Sequence, residues 1–270
     1  MKPKLVVKLI QPGRIMFALG IISLGVLQFF ARDYVLGRPP AITWPAWASA
    51  MPGKLTWAYM SGILVIIAGL AIILNKKARV AAIFIGVLFL AYSFLVRHLT
   101  AMSDTGNGYK SLALGGGAFI IAASLLEKEK PGPAKSLANK FVLTGCIFIS
   151  LFFFWAGIAH FKFDEFVINF IPAYIPGRTF WAYFCGIALM AGAAGLIFTQ
   201  TRKLAAALSG LMILLWFVLL HIPRTVQAPQ DFNEWMGVFE SFSFSGILFV
   251  LAGLSSQKKI LKNIYSNASE

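Results

Sequence analysis

The side chains best suited to chemistry lie next to the ends of apolar segments in the second half of this sequence. His160 and His221 each follow a long apolar run, and Glu240 lies about one turn inside another. A carboxylate inside an apolar helix is costly unless it is paired or neutralised. Arg178, His221 and Arg224 are its predicted partners, because all should lie at one depth. The pattern predicts a polar pocket in which histidine and carboxylate groups could move protons.

This pocket suits the polar head group of a lipid-soluble molecule. The candidate ligand-binding or quinone-binding residues are His160, Arg178, Trp181, Tyr183, His221, Arg224 and Glu240. Trp181 and Tyr183 would form an apolar wall. In the alternative interpretation, the charges only neutralise one another at the membrane interface and the aromatic side chains are anchors. No catalytic residue is assigned.

Metal and thiol chemistry find little support in the sequence. The histidines and carboxylates lack the close helical spacing of metal ligands, so no metal site is predicted. Cys146 and Cys185 should lie roughly 15 Å apart along the membrane normal at the helical rise, which is too far for a disulfide. No covalently bound cofactor is expected.

Membrane-spanning helices must position these side chains, because 59% of the residues are hydrophobic and only 13% are charged. Lipid cannot satisfy backbone polar groups, so apolar runs near the ~20 residues that cross a bilayer must be helices. The sequence therefore predicts an all-α integral membrane protein with eight transmembrane helices. The runs are Ile15–Ala31, Leu55–Leu74, Val80–Val96, Ser111–Leu126, Phe141–Ala159, Phe180–Phe198, Leu204–Leu220 and Met236–Leu254.

An internal repeat divides these runs into two sets of four. Met51–Gly62 returns 124 residues later as Ile175–Gly186, with Pro, Gly, Trp, Ala, Tyr and Gly at matching positions. An even number of helices per copy gives both copies the same orientation. We expect two parallel-repeat four-helix bundles. Residues 1–130 form the first copy, residues 131–139 a cytoplasmic linker, and residues 140–270 the second copy.

The net charge of +14 is a topology signal, and no nucleic-acid partner is expected. Sixteen of the 24 Lys and Arg residues fall on the side of the two termini. The excess of positive charge on cytoplasmic loops predicts a multi-pass protein of the bacterial cytoplasmic (inner) membrane with both termini in the cytoplasm.

A short amphipathic segment precedes the repeated Pro-Gly motif of the second copy. Phe163, Phe166, Val167 and Phe170 follow the i, i+3, i+4, i+7 spacing of a helix, with polar residues between them. This pattern predicts a helix lying in the membrane interface.

The second copy resembles the DoxX family of small four-helix membrane proteins. The resemblance rests on Gly157-Ile-Ala-His160-Phe161, Ile-Pro-Ala-Tyr-Ile-Pro-Gly-Arg178, Trp181-Ala-Tyr183…Gly186 and Leu-Leu-His221-Ile-Pro223. It covers nearly the whole second half and, more loosely, the first. It implies a four-helix bundle per repeat and, in some members, partnership in quinone-linked sulfur or thiol oxidation. It supplies no agreed catalytic residues.

The expected function is therefore the membrane subunit of a quinone-linked oxidoreductase complex. Quinone is the expected ligand, membrane lipid surrounds the helices, and a membrane or periplasmic protein partner would hold the redox cofactor. The second copy should carry the site, because the first has Gln28-Phe29 where the second has His160-Phe161. Two non-enzymatic alternatives stay open: a protein that binds or moves a small apolar ligand, and an anchor for an envelope complex.

Overall fold

The computed structural model describes residues 3–32, 54–94, 105–126 and 133–267, and within these ranges the protein is all-helical. The helices are α1 Pro3–Val7, α2 Ile10–Ala31, α3 Lys54–Ile73, α4 Ala78–Ala91, α5 Thr105–Leu126, α6 Pro133–Lys162, α7 Asp164–Phe170, α8 Arg178–Ile197, α9 Arg202–Trp216, α10 Ile222–Gln227 and α11 Phe232–Asn267. A π-helical turn, Phe217–His221, joins α9 to α10.

Seven helical segments in the described ranges are long and apolar enough to cross a membrane, as expected for a multi-pass helical membrane protein. They lie in α2, α3, α5, α6, α8, the α9–α10 unit and α11. The third of the eight predicted runs corresponds to Ala78–Phe94, a shorter apolar helix whose last three residues are π-helical. Each predicted run thus overlaps a helix, and the last two residues of the third run, Leu95 and Val96, lie outside the described residues.

Two helices, α5 and α11, lie at the centre of the molecule. In each, 83% of the apolar span is buried, against 28% to 44% in the other long spans. The surrounding helices expose large apolar side chains such as Ile67, Phe154 and Leu208. An apolar outer surface around a buried helix pair is the arrangement that lipid favours.

The first helix of each copy packs most extensively on the last helix of the other copy. The most extensive contact of α2 is with α11, and that of α6 is with α5. Contact between α2 and α5, or between α6 and α11, is minor. The expected bundles are therefore not closed within each copy, because each copy completes its packing with a helix from the other.

Three consecutive glycines in α5 allow this central helix to touch three neighbours. A Cβ at Gly115 would lie 3.0 Å from a backbone oxygen of α4, and one at Gly116 would lie 3.1 Å from a backbone Cα of α6. A Cβ at Gly117 would overlap Ile247 of α11. Small residues at such contacts let helix backbones approach closely in membranes.

A glycine contact joins the first two long helices of each copy. In the first copy, a Cβ at Gly25 of α2 would lie 2.9 Å from the carbonyl oxygen of Gly62 in α3. In the second, a Cβ at Gly157 of α6 would lie 2.8 Å from the carbonyl oxygen of Gly186 in α8. The helix crossing in the first copy and the helix crossing in the second therefore involve glycines at matching positions of the sequence repeat.

An aromatic stack lies near each glycine contact. The rings of Phe29 and Tyr59 stack at 4.9 Å with an interplanar angle of 13°. The rings of Phe161 and Tyr183 stack at 5.5 Å with an angle of 15°. Offset or stacked aromatic pairs add about 0.5–1.5 kcal/mol beyond the area that they bury.

Candidate functional site

The predicted amphipathic segment is helix α7, which lies between the ends of α6 and α8. No residue of α7 is buried, and Phe163 and Phe166 are exposed. Its first turn carries Asp164 and Glu165, which suits the positive end of a helix dipole. The prediction of a helix here is confirmed.

The N-terminal end of α7 is held by the candidate residue Tyr183. The Tyr183 hydroxyl donates to Asp164 Oδ2 at 2.9 Å, and the Tyr183 ring stacks on Phe161 of α6. One side chain of α8 thus contacts both α6 and α7. Tyr183 fixes the entry to α7 more than it forms an apolar wall.

The C-terminal end of α7 is held by Arg224 of α10. The Arg224 guanidinium lies 3.8 Å from the centre of the Phe170 ring and donates to the Phe170 carbonyl oxygen at 3.2 Å. It also binds both carboxylate oxygens of Glu234 in α11, with Nε to Oε2 at 3.0 Å. Two-point pairing of this kind is the strongest form of an Arg–carboxylate contact.

His221 is buried beside this group of residues. Its ring meets Phe170 edge-on at 6.0 Å, and its backbone oxygen accepts a hydrogen bond from Thr225 Oγ1 at 2.9 Å. The structure therefore brings His221 and Arg224 against the ring of Phe170, and Glu234 is bound to Arg224.

His160 of α6 lies where α6, α8 and α9 meet. Its ring, half-buried, stacks on Trp216 of α9 at 6.3 Å. A Cβ at Gly186 of α8 would lie 2.8 Å from the His160 Cβ.

One hydrogen bond fixes the tautomer of His160. Its Nδ1 lies 2.8 Å from the carbonyl oxygen of Ala156, which can only accept, so Nδ1 carries the proton. Nε2 has no hydrogen-bond partner among the residues that the structure describes. In the neutral ring, Nε2 is an acceptor available to a ligand.

Glu240 pairs with Lys110, which is not one of the partners predicted for it. The Lys110 ammonium lies 2.9 Å from Glu240 Oε2, and both side chains are largely buried. Arg224, one of the expected partners, binds Glu234. The physical reason is that α5 and α11 touch at the centre of the molecule, so their polar ends face each other.

Arg178 and Trp181 do not join the other candidates. Trp181 is 42% exposed and meets Phe180 and Phe184 edge-on along the outside of α8. Arg178 begins α8 after Gly177, which has a φ of 69°. It is half-buried, with no hydrogen bond or ion pair to any described residue. The seven candidates thus do not form one cluster. His221 and Arg224 share the Phe170 ring, Tyr183 contacts Asp164 and Phe161, His160 contacts Trp216, Glu240 binds Lys110, and Arg178 and Trp181 lie apart.

A shallow depression of about 590 Å³ lies nearby, in the loop after α10. Its lining residues are Gln227, Ala228, Pro229, Gln230 and Asp231. None of the seven candidates lines it. In the described ranges, no cluster of three or more His, Cys, Asp or Glu residues is arranged to hold a metal ion, and both cysteines are free thiols.

Sequence reasoning missed the π-helical turn that ends in His221. Pro223 has no N–H to offer the Leu219 carbonyl four residues earlier, and the Tyr174 hydroxyl donates to that oxygen. A proline two residues after His221 was the available signal. In the first copy, Tyr92–Phe94 are also π-helical, next to residues outside the described ranges. π-Turns inside helices are frequent at functional sites.

One family matches the region that carries most of these contacts. The sequence model of a domain of unknown function, DUF8561, matches residues 149–235. This span runs from α6 to the start of α11 and contains six of the seven candidates, all except Glu240. No curated protein and no solved structure matches the chain.

Proposed function

We propose that the protein is the membrane subunit of a quinone-linked redox system and that its second copy binds the quinone head group. The observation that carries this proposal is the environment of His160. The imidazole is half-buried, its Nδ1 donates to a carbonyl oxygen of its own helix, and its Nε2 has no partner among the described residues. Nε2 can therefore accept a hydrogen bond from a head group. DoxX-like motifs in the same copy favour quinone as that ligand.

The surroundings of His160 supply the apolar part of such a site. Trp216 covers the imidazole ring, and the contact between α8 and α9 is the least extensive among consecutive long helices of the second copy. A lipid-soluble ring could enter from the bilayer between these helices. Aromatic side chains with a few placed polar groups are typical of small-molecule sites.

The chemistry assigned to the chain is hydrogen bonding and proton transfer. Oxidation of a quinol to a quinone releases two protons and two electrons. Nε2 of His160 would accept one hydroxyl proton, the second would pass to water, and the two electrons would go to a redox cofactor on a partner protein. Helix α7, held at both ends by Tyr183 and Arg224, covers the outer side of the site.

The proposed membrane arrangement is two parallel four-helix copies that cross the bacterial inner membrane eight times. It is supported by the recurring glycine and aromatic contacts and by the charge distribution. Both termini and the α8–α9 turn lie in the cytoplasm, and α7 lies on the periplasmic side. In a Cys-free background, Gln200→Cys and Asp231→Cys should react with an impermeant thiol reagent from opposite sides. Reaction of both from outside would contradict this orientation.

The quinone proposal is tested by binding to the purified protein. Decylubiquinone is titrated into the parent, His160→Ala and His160→Gln, with Gln28→Ala as the matched control at the corresponding position of the first copy. His160→Ala removes the acceptor and should weaken binding roughly tenfold. His160→Gln should weaken it less, because its amide oxygen can still accept, and the control should be unchanged. Equal affinity in all four proteins, or no binding to the parent, would overturn the proposal.

The same titration separates the two alternatives. A protein that only binds or moves a small apolar ligand would hold the quinone or another lipid but would not change the rate of quinol oxidation by membranes. An anchor for an envelope complex would purify with a stable protein partner and bind no quinone. The exposed Phe163 and Phe166 of α7 are the surface that such a partner would contact.

A further inference from the structure

The two central helices carry matching sequences. With an offset of 130 residues, the run from Tyr109 in α5 aligns with the run from Phe239 in α11. The offset places identical residues together, namely Ser111 with Ser241, Gly116 with Gly246, Phe119 with Phe249 and Ala122 with Ala252. It also places Lys110 with Glu240.

Packing at the aligned glycines supports this alignment. A Cβ at Gly145 of α6 would lie 2.5 Å from the Gly116 carbonyl oxygen, and a Cβ at Gly13 of α2 would lie 2.5 Å from the Gly246 carbonyl oxygen. Gly13 and Gly145 occupy matching places in the first helix of each copy. The same glycine contact therefore joins α6 to α5 and α2 to α11.

The aligned phenylalanines agree as well. A Cβ at Gly86 of α4 would lie 2.6 Å from the Phe119 ring, and a Cβ at Gly210 of α9 would lie 3.0 Å from the Phe249 ring. Gly86 and Gly210 are 124 residues apart, the spacing of the repeated Pro-Gly motif. The interface between α4 and α5 therefore corresponds to the interface between α9 and α11 when the same sequence offsets are applied.

Where two equivalent surfaces meet about a two-fold axis, a residue on the axis contacts its own counterpart. Two such contacts occur between α5 and α11. Lys110 binds Glu240 at 2.9 Å, and Gly117 packs against Ile247. The two contacts are seven residues apart in each helix, which is about 10 Å along the helix. Because both contacts lie on the axis, the axis runs along the helices.

We infer that Lys110 and Glu240 are the charge pair on a pseudo-two-fold axis and that they determine which copy pairs with which. The copy that carries Lys110 at the axis pairs favourably with a copy that carries a carboxylate at the same position. Two identical copies would bring two ammonium or two carboxylate groups together in a largely buried place, which is costly. The inference rests on the parallel repeat proposed above and is independent of quinone binding.

Charge reversal in the full chain tests this inference. Lys110→Glu and Glu240→Lys are made singly and together, and the melting temperature of the detergent-purified protein is measured. Each single variant should melt roughly 10 °C lower, because like charges meet at the axis. The double variant should return to within a few degrees of the parent, because equivalent positions offer each charge similar surroundings.

Arg224 and Glu234 are the matched control, since this ion pair joins positions that are not equivalent. Arg224 stacks on Phe170, whereas Glu234 has no such ring contact, so Arg224→Glu with Glu234→Arg should not recover. Recovery of the axis pair alone supports the inference. Failure of the axis double variant, or equal recovery of both double variants, overturns it. The result of this test does not depend on the quinone titration of the His160 variants, so the two proposals can fail independently.

Discussion

The contact between the first two long helices has a different polar side chain in each copy, Gln28 in the first and His160 in the second. In the first copy, Gln28 is 1% exposed and its amide donates to the Ala58 carbonyl oxygen at 3.2 Å and to Ser61 Oγ at 3.3 Å. In the second, His160 takes this place, is half-buried, and bonds to a carbonyl of its own helix. Glutamine joins α2 to α3, whereas histidine makes no polar contact with α8.

This difference shows how a duplicated bundle can divide its tasks. The apolar contacts, Gly25 with Gly62 and Gly157 with Gly186, are retained in both copies. The polar groups have diverged: an amide cannot take up a proton near neutral pH, whereas an imidazole can. We therefore propose that the first copy is the scaffold and that the second carries the site.

The largest predicted effect concerns the ion pair that holds α7 in the second copy. Arg224→Ala leaves the buried carboxylate of Glu234 without its guanidinium partner. The free energy of unfolding should fall by about 3–5 kcal/mol. Thermal unfolding in detergent measures the change, with Arg178→Ala as a control that should stay within about 0.5 kcal/mol. An Arg224→Ala protein as stable as the parent would show that α7 is held in another way.

A smaller effect should be equal in the two copies. Gly25→Ala and Gly157→Ala each place a methyl group within 3 Å of the facing helix. Overpacking of this kind should cost about 1–3 kcal/mol at each site. The comparison is made by denaturant or thermal unfolding of the single variants. A substitution tolerated in one copy only would show that the two helix crossings are not alike.

The smallest effect distinguishes the two stacked tyrosines. Tyr183→Phe removes a hydrogen bond to Asp164 and should lower the free energy of unfolding. Tyr59→Phe should change stability by only a few tenths, because the Tyr59 hydroxyl has no hydrogen-bond partner among the described residues. Equal losses of stability in the two variants would show that the Tyr183 hydroxyl contributes no more than the Tyr59 hydroxyl.

Much of the helical architecture follows from the sequence alone. The length of the apolar runs identifies their helices because lipid leaves no other way to satisfy the backbone. The spacing of Phe163, Phe166 and Phe170 identifies α7 for a similar reason, since a helix places these rings on one side.

The partners of the polar side chains could not be read in this way. Lys110 and Glu240 meet because α5 and α11 are central, and which helices are central depends on the packing of the whole bundle. Three acidic residues, Asp231, Glu234 and Glu240, follow Arg224 closely in the sequence. The sequence indicates how deep a residue lies in the membrane, but it does not indicate which neighbouring helix the side chain faces.

We propose that the second copy, and not the first, holds the quinone head group at His160. Photolabelling with an azidoquinone followed by peptide mass mapping tests this proposal directly. We expect labelled peptides from α6, α8 and α9, with labelling lost in His160→Ala and kept in Gln28→Ala. Labels in α2 and α3, equal labelling of both copies, or labelling unaffected by His160→Ala would contradict it.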